Sequence, residues 1–332
     1  MKLWQRTLTA ASLAGVLSAL VPQAAVAQQI KIDGSSTVFP IMEAVAEEFQ
    51  ISKRGKVRVT VGIAGTGGGF KKFCRGETDI SNASRPILRE EMDACRAAGI
   101  KFIELPVAFD ALTVVINPKN TWARTLTVAE LKRIWEPGAQ GRITRWSQVR
   151  AGFPNQPIQL FGPGADSGTF DYFTEAINGK AKSTRGDYTA SEDDNTLVQG
   201  VENNANALGY FGYAYYVNHK DKMTAVAVHN GKAAVLPSTE NVVNGTYNPL
   251  SRPLFVYVRD TAAARPEVQE LVKFILSKGA PLVTEVGYVA LPPEAYAIAQ
   301  KHFDARRVGS VFGGTPEVGV TIKDLLSREA KQ

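Results

Sequence analysis

The strongest constraint on this chain is a unit that recurs along it: a short apolar strand, a turn rich in glycine and hydroxyl side chains, then the start of a helix. A chain written this way folds as an α/β protein. Ile30-Lys31-Ile32 passes through Asp33-Gly34-Ser35-Ser36-Thr37 into residues 40–49, where apolar side chains at 41, 44, 45 and 49 mark one helical face. Val57, Val59, Val61 and Ile63 alternate as a second strand, Gly65-Thr66-Gly67-Gly68-Gly69 reads as a turn, and Phe70 begins the next helix. A third turn, Ser81-Asn82-Ala83-Ser84-Arg85-Pro86, closes a short strand. The fourth, Gly164-Ala165-Asp166-Ser167-Gly168-Thr169, leads from Leu160-Phe161 into a helix at Asp171.

Hydroxyls at such a hand-over lie where the free N–H groups and the dipole of a helix favour an anion. A plain N-cap needs only one Ser or Thr, and a lone glycine cluster simply makes a turn. Several such turns together point to converging N–H and O–H donors, which can replace the water shell of a doubly charged oxyanion. The glycine turn is neither a Walker loop nor a dinucleotide fingerprint, because the Gly-Lys-Ser/Thr ending and the G-x-G-x-x-G register are both missing.

The first 27 residues read as an export signal. Lys2 and Arg6 give a positive start, residues 8–21 an apolar run, and Ala25-Val26-Ala27 small residues for cleavage before Gln28. The run is short for a span of about 20 residues, and no cysteine near the cleavage site offers a lipid attachment point. The expectation is a periplasmic or secreted protein. Of the 38 basic residues, removal of Lys2 and Arg6 leaves 36 against 32 acids, a mild excess scattered among acids that argues against nucleic acid as a partner and suits a small anion. Cys74 and Cys95 are the only cysteines, and in an oxidising compartment a disulfide is the expectation, with two buried thiols the alternative. Two cysteines and three separated histidines do not make a zinc site, and no cofactor is expected.

Two extended apolar runs, residues 105–117 and 251–258, look like crossings between two lobes. Lobe 1 would hold residues 28–109 plus 252–332, and lobe 2 residues 110–251.

Lys31-Ile32-Asp33-Gly34-Ser35-Ser36-Thr37-Val38, the glycine turn, Asp79-Ile80-Ser81-Asn82-Ala83-Ser84-Arg85-Pro86-Ile87 and Gly164-Ala165-Asp166-Ser167-Gly168-Thr169-Phe170 together resemble the periplasmic phosphate-binding proteins of ABC transporters. This is the PstS-like family, and the SphX-like branch is the nearest pattern. Gly209-Tyr210-Phe211-Gly212-Tyr213-Ala214-Tyr215 and Tyr247-Asn248-Pro249-Leu250-Ser251-Arg252-Pro253-Leu254 extend the likeness over nearly the whole mature chain, outside the expected site. The resemblance implies a type II periplasmic-binding-protein fold, two α/β lobes joined by two crossings, with inorganic phosphate held between them. It also implies a monomer that delivers phosphate to a permease in the inner membrane.

Carried over by motif, Ser36 and Thr37 with the N–H groups of Val38 and Phe39 form one donor set, Thr66 and Gly67 a second, and Ser167, Gly168 and Thr169 the set from the other lobe. The family pattern has an aspartate after the serine of the third turn, where this chain has Arg85 after Ser84. It has an arginine four residues before the serine of the fourth, where this chain has Pro163. The expectation is that Arg85 contacts the anion, with Asp166 or Asp33 as a substitute acceptor for the ligand's proton. The competing functions are capture of another tetrahedral oxyanion, sulfate or arsenate, a secreted phosphatase or serine hydrolase using Ser167, and a secreted scaffold. Against the enzyme stand the missing G-x-S-x-G elbow and the lack of a histidine or metal-binding cluster in any motif.

Overall fold

The computed structural model describes residues 28–331, so the export signal lies outside the described residues. The chain opens with β1 (Gln28–Gly34), α1 (Phe39–Ser52), β2 (Val57–Val61), α2 (Gly65–Cys74), β3 (Ile80–Ala83), α3 (Arg89–Ala97) and the long β4 (Phe102–Ala111). A second group follows: β5 (Thr113–Ile116), β6 (Thr125–Thr127), α4 (Val128–Trp135), β7 (Gln159–Pro163), α5 (Gly168–Asn178), β8 (Thr189–Ser191), α6 (Asp194–Asn203), β9 (Ala207–Phe211), β10 (Thr224–Ala225), β11 (Ala227–His229) and β12 (Ala234–Val235). β13 (Ser251–Arg259) and β14 (Val289–Ala290) return to the first group.

The strands make a six-stranded sheet in the order β14-β4-β13-β3-β1-β2, a five-stranded sheet β10-β5-β9-β7-β8 and a small sheet β12-β11-β6. β1 runs parallel to β2 and β3, whereas β13 is antiparallel to both β3 and β4. The chain therefore passes between the two large sheets twice, through Leu112 and just before Ser251. The crossings lie side by side, with the Leu112 N–H donating to the Leu250 carbonyl at 2.9 Å.

Alternation explains β1, which buries Ile30 and Ile32 and exposes Lys31 between them, each isoleucine contributing roughly 1.5–3 kcal/mol. β4 is buried at every position because helices Pro266–Glu285 and Pro293–Asp304 pack on it, so its apolar residues do not alternate with exposed ones and its two acids, Glu104 and Asp110, are buried with them. The glycine turn is a correction: α2 already begins at Gly65 rather than at Phe70. Glycine is a poor helix former, but a Cβ at Gly69 would lie 2.5 Å from the Gly34 Cα, and that close approach of helix to strand outweighs the propensity. No helix among the described residues is long and apolar enough to cross a membrane.

Cys74 at the end of α2 and Cys95 on α3 are joined in a disulfide. The bridge closes a loop of sequence separation 21. Replacing both cysteines by alanine should therefore lower stability by about 3 kcal/mol in urea unfolding, and a change below about 1 kcal/mol would refute the chain-entropy account.

Candidate functional site

The N-termini of α1, α2 and α5 meet where the lobes touch. Val38 precedes α1 and Ala64 precedes α2, and neither helix receives a side-chain cap. The hydroxyls of Ser36, Thr37 and Thr66 are thus not spent on capping, the bland explanation of their positions. α5 differs: Ser167 Oγ accepts from the Thr169 N–H at 3.1 Å and, more weakly, from the Phe170 N–H at 3.5 Å. The N–H groups of Val38 and Gly168 take no partner among the described residues. Two expected donors are occupied: the Phe39 N–H turns back on the Ser35 and Ser36 carbonyls, and the Gly67 N–H donates across the lobes to the Asp166 carbonyl at 2.7 Å.

The side chains close into one buried cluster. Thr37 Oγ1 lies 2.9 Å from Thr169 Oγ1, and Thr66 Oγ1 lies 3.2 Å from Ser84 Oγ. A Cβ at Gly168 would collide with Thr66 Oγ1 and come within 2.7 Å of Ser84 Oγ, so only glycine lets the first residue of α5 approach the lobe 1 hydroxyls. Ser36, Thr37, Thr66, Ser84, Ser167 and Thr169 are all buried, and together they bring hydroxyls from both lobes to one place.

Arg252, on β13 at the second crossing, is the site residue that the motifs do not single out. It is fully buried, and its guanidinium donates to Thr169 Oγ1 at 2.8 Å, Thr37 Oγ1 at 3.3 Å and the Gly168 carbonyl at 3.3 Å. Asp110, its register partner at the end of β4, neutralises it through Oδ2 at 2.9 Å and 3.1 Å. Burial pushes the Asp110 carboxyl above its ordinary range, although Arg252 and the Tyr213 N–H pull it down. Tyr172 of α5 stands with its ring 5.5 Å from the guanidinium and donates its hydroxyl to the Ser251 carbonyl. The only trace of Arg252 in the sequence is the Ser251-Arg252-Pro253 motif, which lies far along the chain from the turns.

Arg85 is at the lobe interface, but its guanidinium is occupied elsewhere. Its Nε donates to Asp171 at 2.7 Å, and its terminal nitrogens donate to Glu91 at 2.8 Å and 2.9 Å and to the Pro86 carbonyl at 3.1 Å. In this geometry two carboxylates, and not the hydroxyl cluster where the anion contact was expected, hold the Arg85 fork. Asp166 and Asp33 also have other work, pairing with Lys71 at 2.6 Å and Lys72 at 2.5 Å, respectively. Asp194, at the first position of α6, is fully buried, and neither of its carboxyl oxygens meets a hydrogen-bond partner. No sequence signal marked it.

Comparison with known proteins agrees with this architecture. Residues 21–278 match the PBP superfamily domain. The chain is 54% identical over 323 residues to Protein SphX of Synechococcus elongatus, covering 96% of this chain and 94% of the relative. It is 37% identical to the phosphate-binding protein PstS of Staphylococcus saprophyticus, covering 83% and 84%. Among solved structures, a possible phosphate-binding protein from Planctomyces limnophilus superposes with a TM-score of 0.63 at 51% identity, covering 85% of this chain and 99% of that one. A putative phosphate ABC transporter substrate-binding protein from Clostridium perfringens, solved with bound phosphate, gives 0.68 at 28% identity, covering 80% and 100%.

Proposed function

The chain belongs to the PBP superfamily, within the SphX and PstS family of phosphate-binding proteins, and on that premise we propose that it captures inorganic phosphate outside the cytoplasm and delivers it to an ABC-transporter permease. The observation that carries this reading is the convergence of three helix N-termini, six buried hydroxyls and Arg252 between the lobes. Ser36, Thr37, Thr66, Ser84, Ser167 and Thr169, the N–H groups of Val38 and Gly168, and the Arg252 guanidinium are the donors. Because Asp110 already balances Arg252, the dianion is held mainly by dipoles and hydrogen bonds.

In this reading the lobes are residues 28–109 plus 252–332 and 110–251, although Asp110, Ala111 and Ser251 still pair within the six-stranded sheet, so the hinge falls slightly inside the second range, at the paired Leu112 and Leu250. Donors on both sides require closure around the ligand. Small-angle scattering should show a smaller radius with phosphate, and an unchanged curve at saturation would count against capture between the lobes. The export signal and a monomeric state are part of the same reading.

Titration calorimetry against phosphate, arsenate and sulfate, after unfolding and dialysis to strip carried ligand, tests the function directly. Stoichiometric heat with phosphate supports it, and a flat trace refutes it. A chromogenic phosphate ester checks the enzyme alternative, for which Ser167 is poorly placed: its oxygen accepts two backbone N–H groups, and no histidine or carboxylate pairs with it among the described residues.

A further inference from the structure

The Tyr172 hydroxyl is where three separate parts of the chain meet. Tyr172 lies on α5 one turn after Gly168 and Thr169, so it shares a helix face with two of the proposed donors. Its buried hydroxyl is 2.7 Å from the Ser251 carbonyl and 2.9 Å from the Pro249 carbonyl, both at the second crossing, and it accepts the Gly319 N–H at 2.9 Å. A phenol has one proton, so donation to the crossing leaves its oxygen free to accept from Gly319. Burial pushes the hydroxyl up to about 12, opposed by the Gly319 N–H, and it stays a donor at any working pH.

Gly319 belongs to a C-terminal segment that is fastened to lobe 1 on either side of it. Before it, the Val311 N–H donates to Glu104 of β4 at 2.9 Å, and Phe312 packs edge-on against Phe255 of β13. Arg89 of α3 donates to the Gly313 carbonyl at 2.8 Å and, through its backbone N–H, to the Gly314 carbonyl at 3.0 Å. After it, the helix Ile322–Glu329 buries Leu325 and packs on the helix Pro293–Asp304. Between these anchors the Gly319 peptide reaches into lobe 2, with its N–H on Tyr172 and its carbonyl accepting from Asn248 Nδ2 at 3.2 Å. Gly319 has a φ of +74°, and a Cβ there would lie 2.6 Å from Asn248 Nδ2, so the clamp is shaped for glycine. Rotation of the lobes about Leu112 and Leu250 moves α5 relative to lobe 1 while the anchors hold Gly319 to lobe 1. The clamp therefore fits one angle between the lobes.

We propose, building on phosphate capture, that Tyr172 is a positioning residue whose hydroxyl fastens α5 to the C-terminal segment of lobe 1 in the closed form, so that residues 315–321 prolong phosphate retention and are themselves tightened when phosphate binds. The two effects are one coupling seen from its two ends.

Tyr172→Phe keeps the ring beside Arg252 and removes the hydroxyl. It should bind phosphate about 3- to 10-fold more weakly in calorimetry, through faster release at an unchanged association rate. Hydrogen exchange gives a readout that a merely structural hydroxyl would not move. In wild type, saturating phosphate should slow exchange of residues 317–321 at least about threefold and leave Val311 unchanged, and in Tyr172→Phe that slowing should vanish. Asn248→Ala, whose lost side chain bonds to Gly319 alone among the described residues, should weaken binding about 2- to 5-fold. Because both variants act through one peptide, the double variant should cost less than the product of the two. Wild-type exchange at 317–321 that ignores phosphate, a Tyr172→Phe protein that keeps the slowing, or fully multiplicative effects would each overturn the role of Tyr172 and leave phosphate capture standing. A wild type that binds no phosphate overturns both. The wild-type exchange comparison needs no variant, so a substitution that fails to fold does not shelter the proposal.

Discussion

Arg252→Met should remove phosphate binding and also destabilise the empty protein, by about 2 to 5 kcal/mol of affinity and roughly 3–5 kcal/mol of folding free energy. The two effects have different origins. Affinity falls because the guanidinium is the one cationic donor in the cluster, reaching Thr37 and Thr169 from opposite lobes. Stability falls because Asp110 would be left fully buried without its counter-charge. Asp110 also accepts the Tyr213 N–H at 2.9 Å, so asparagine can keep that bond while giving up the charge. In the double variant Arg252→Met/Asp110→Asn, urea unfolding should return most of the lost stability, and calorimetry should still find no phosphate binding. A single Arg252→Met variant with wild-type affinity would remove Arg252 from the site.

The parts of this site legible in the sequence are those whose chemistry is local. Ser36, Thr37, Thr66, Ser167 and Thr169 sit at strand-to-helix hand-overs, and short-range patterning is enough to locate a helix N-terminus. The start of α2 was hidden because Gly67, Gly68 and Gly69 argue for a turn until the neighbouring strand is in place. Arg252 and Asp110 are invisible for a topological reason: they are 142 residues apart and become neighbours only because β13 returns antiparallel to β4. Arg85 follows Ser84 in sequence, which suggests a shared task. Its long side chain instead leaves the hydroxyl cluster for Glu91 and Asp171, the latter 86 residues away. Asp194 follows Asp193, which caps α6 through the Asn195 N–H, and an acidic pair before a helix reads as capping and nothing more.

Arg85→Met should also weaken phosphate binding, by about 2 to 4 kcal/mol, but through closure of the lobes and not through contact with the anion. The Arg85–Asp171 bond joins lobe 1 to the first turn of α5, and both side chains are less than 5% exposed, at 4% and 3%. Two other cross-lobe pairs, Lys71–Asp166 and Lys182–Glu90, are exposed and each contribute little. Arg85 is therefore the principal ionic tie holding the closed form on this side of the cleft. Burial already holds the Asp171 carboxyl above its ordinary range against the pull of Arg85, and removing the guanidinium would leave Asp171 facing Glu91 with no cation between them. An open form in water relieves that strain, so the loss should emerge mainly as faster phosphate release with little change in association rate. A double-mutant cycle separates this role from direct contact. In an Asp171→Asn background the tie is already broken, and Arg85→Met should then cost less than about 1 kcal/mol of affinity, a coupling of at least about 1.5 kcal/mol. If the full cost persists in that background, Arg85 acts on the anion itself, and the ionic tie is incidental to binding.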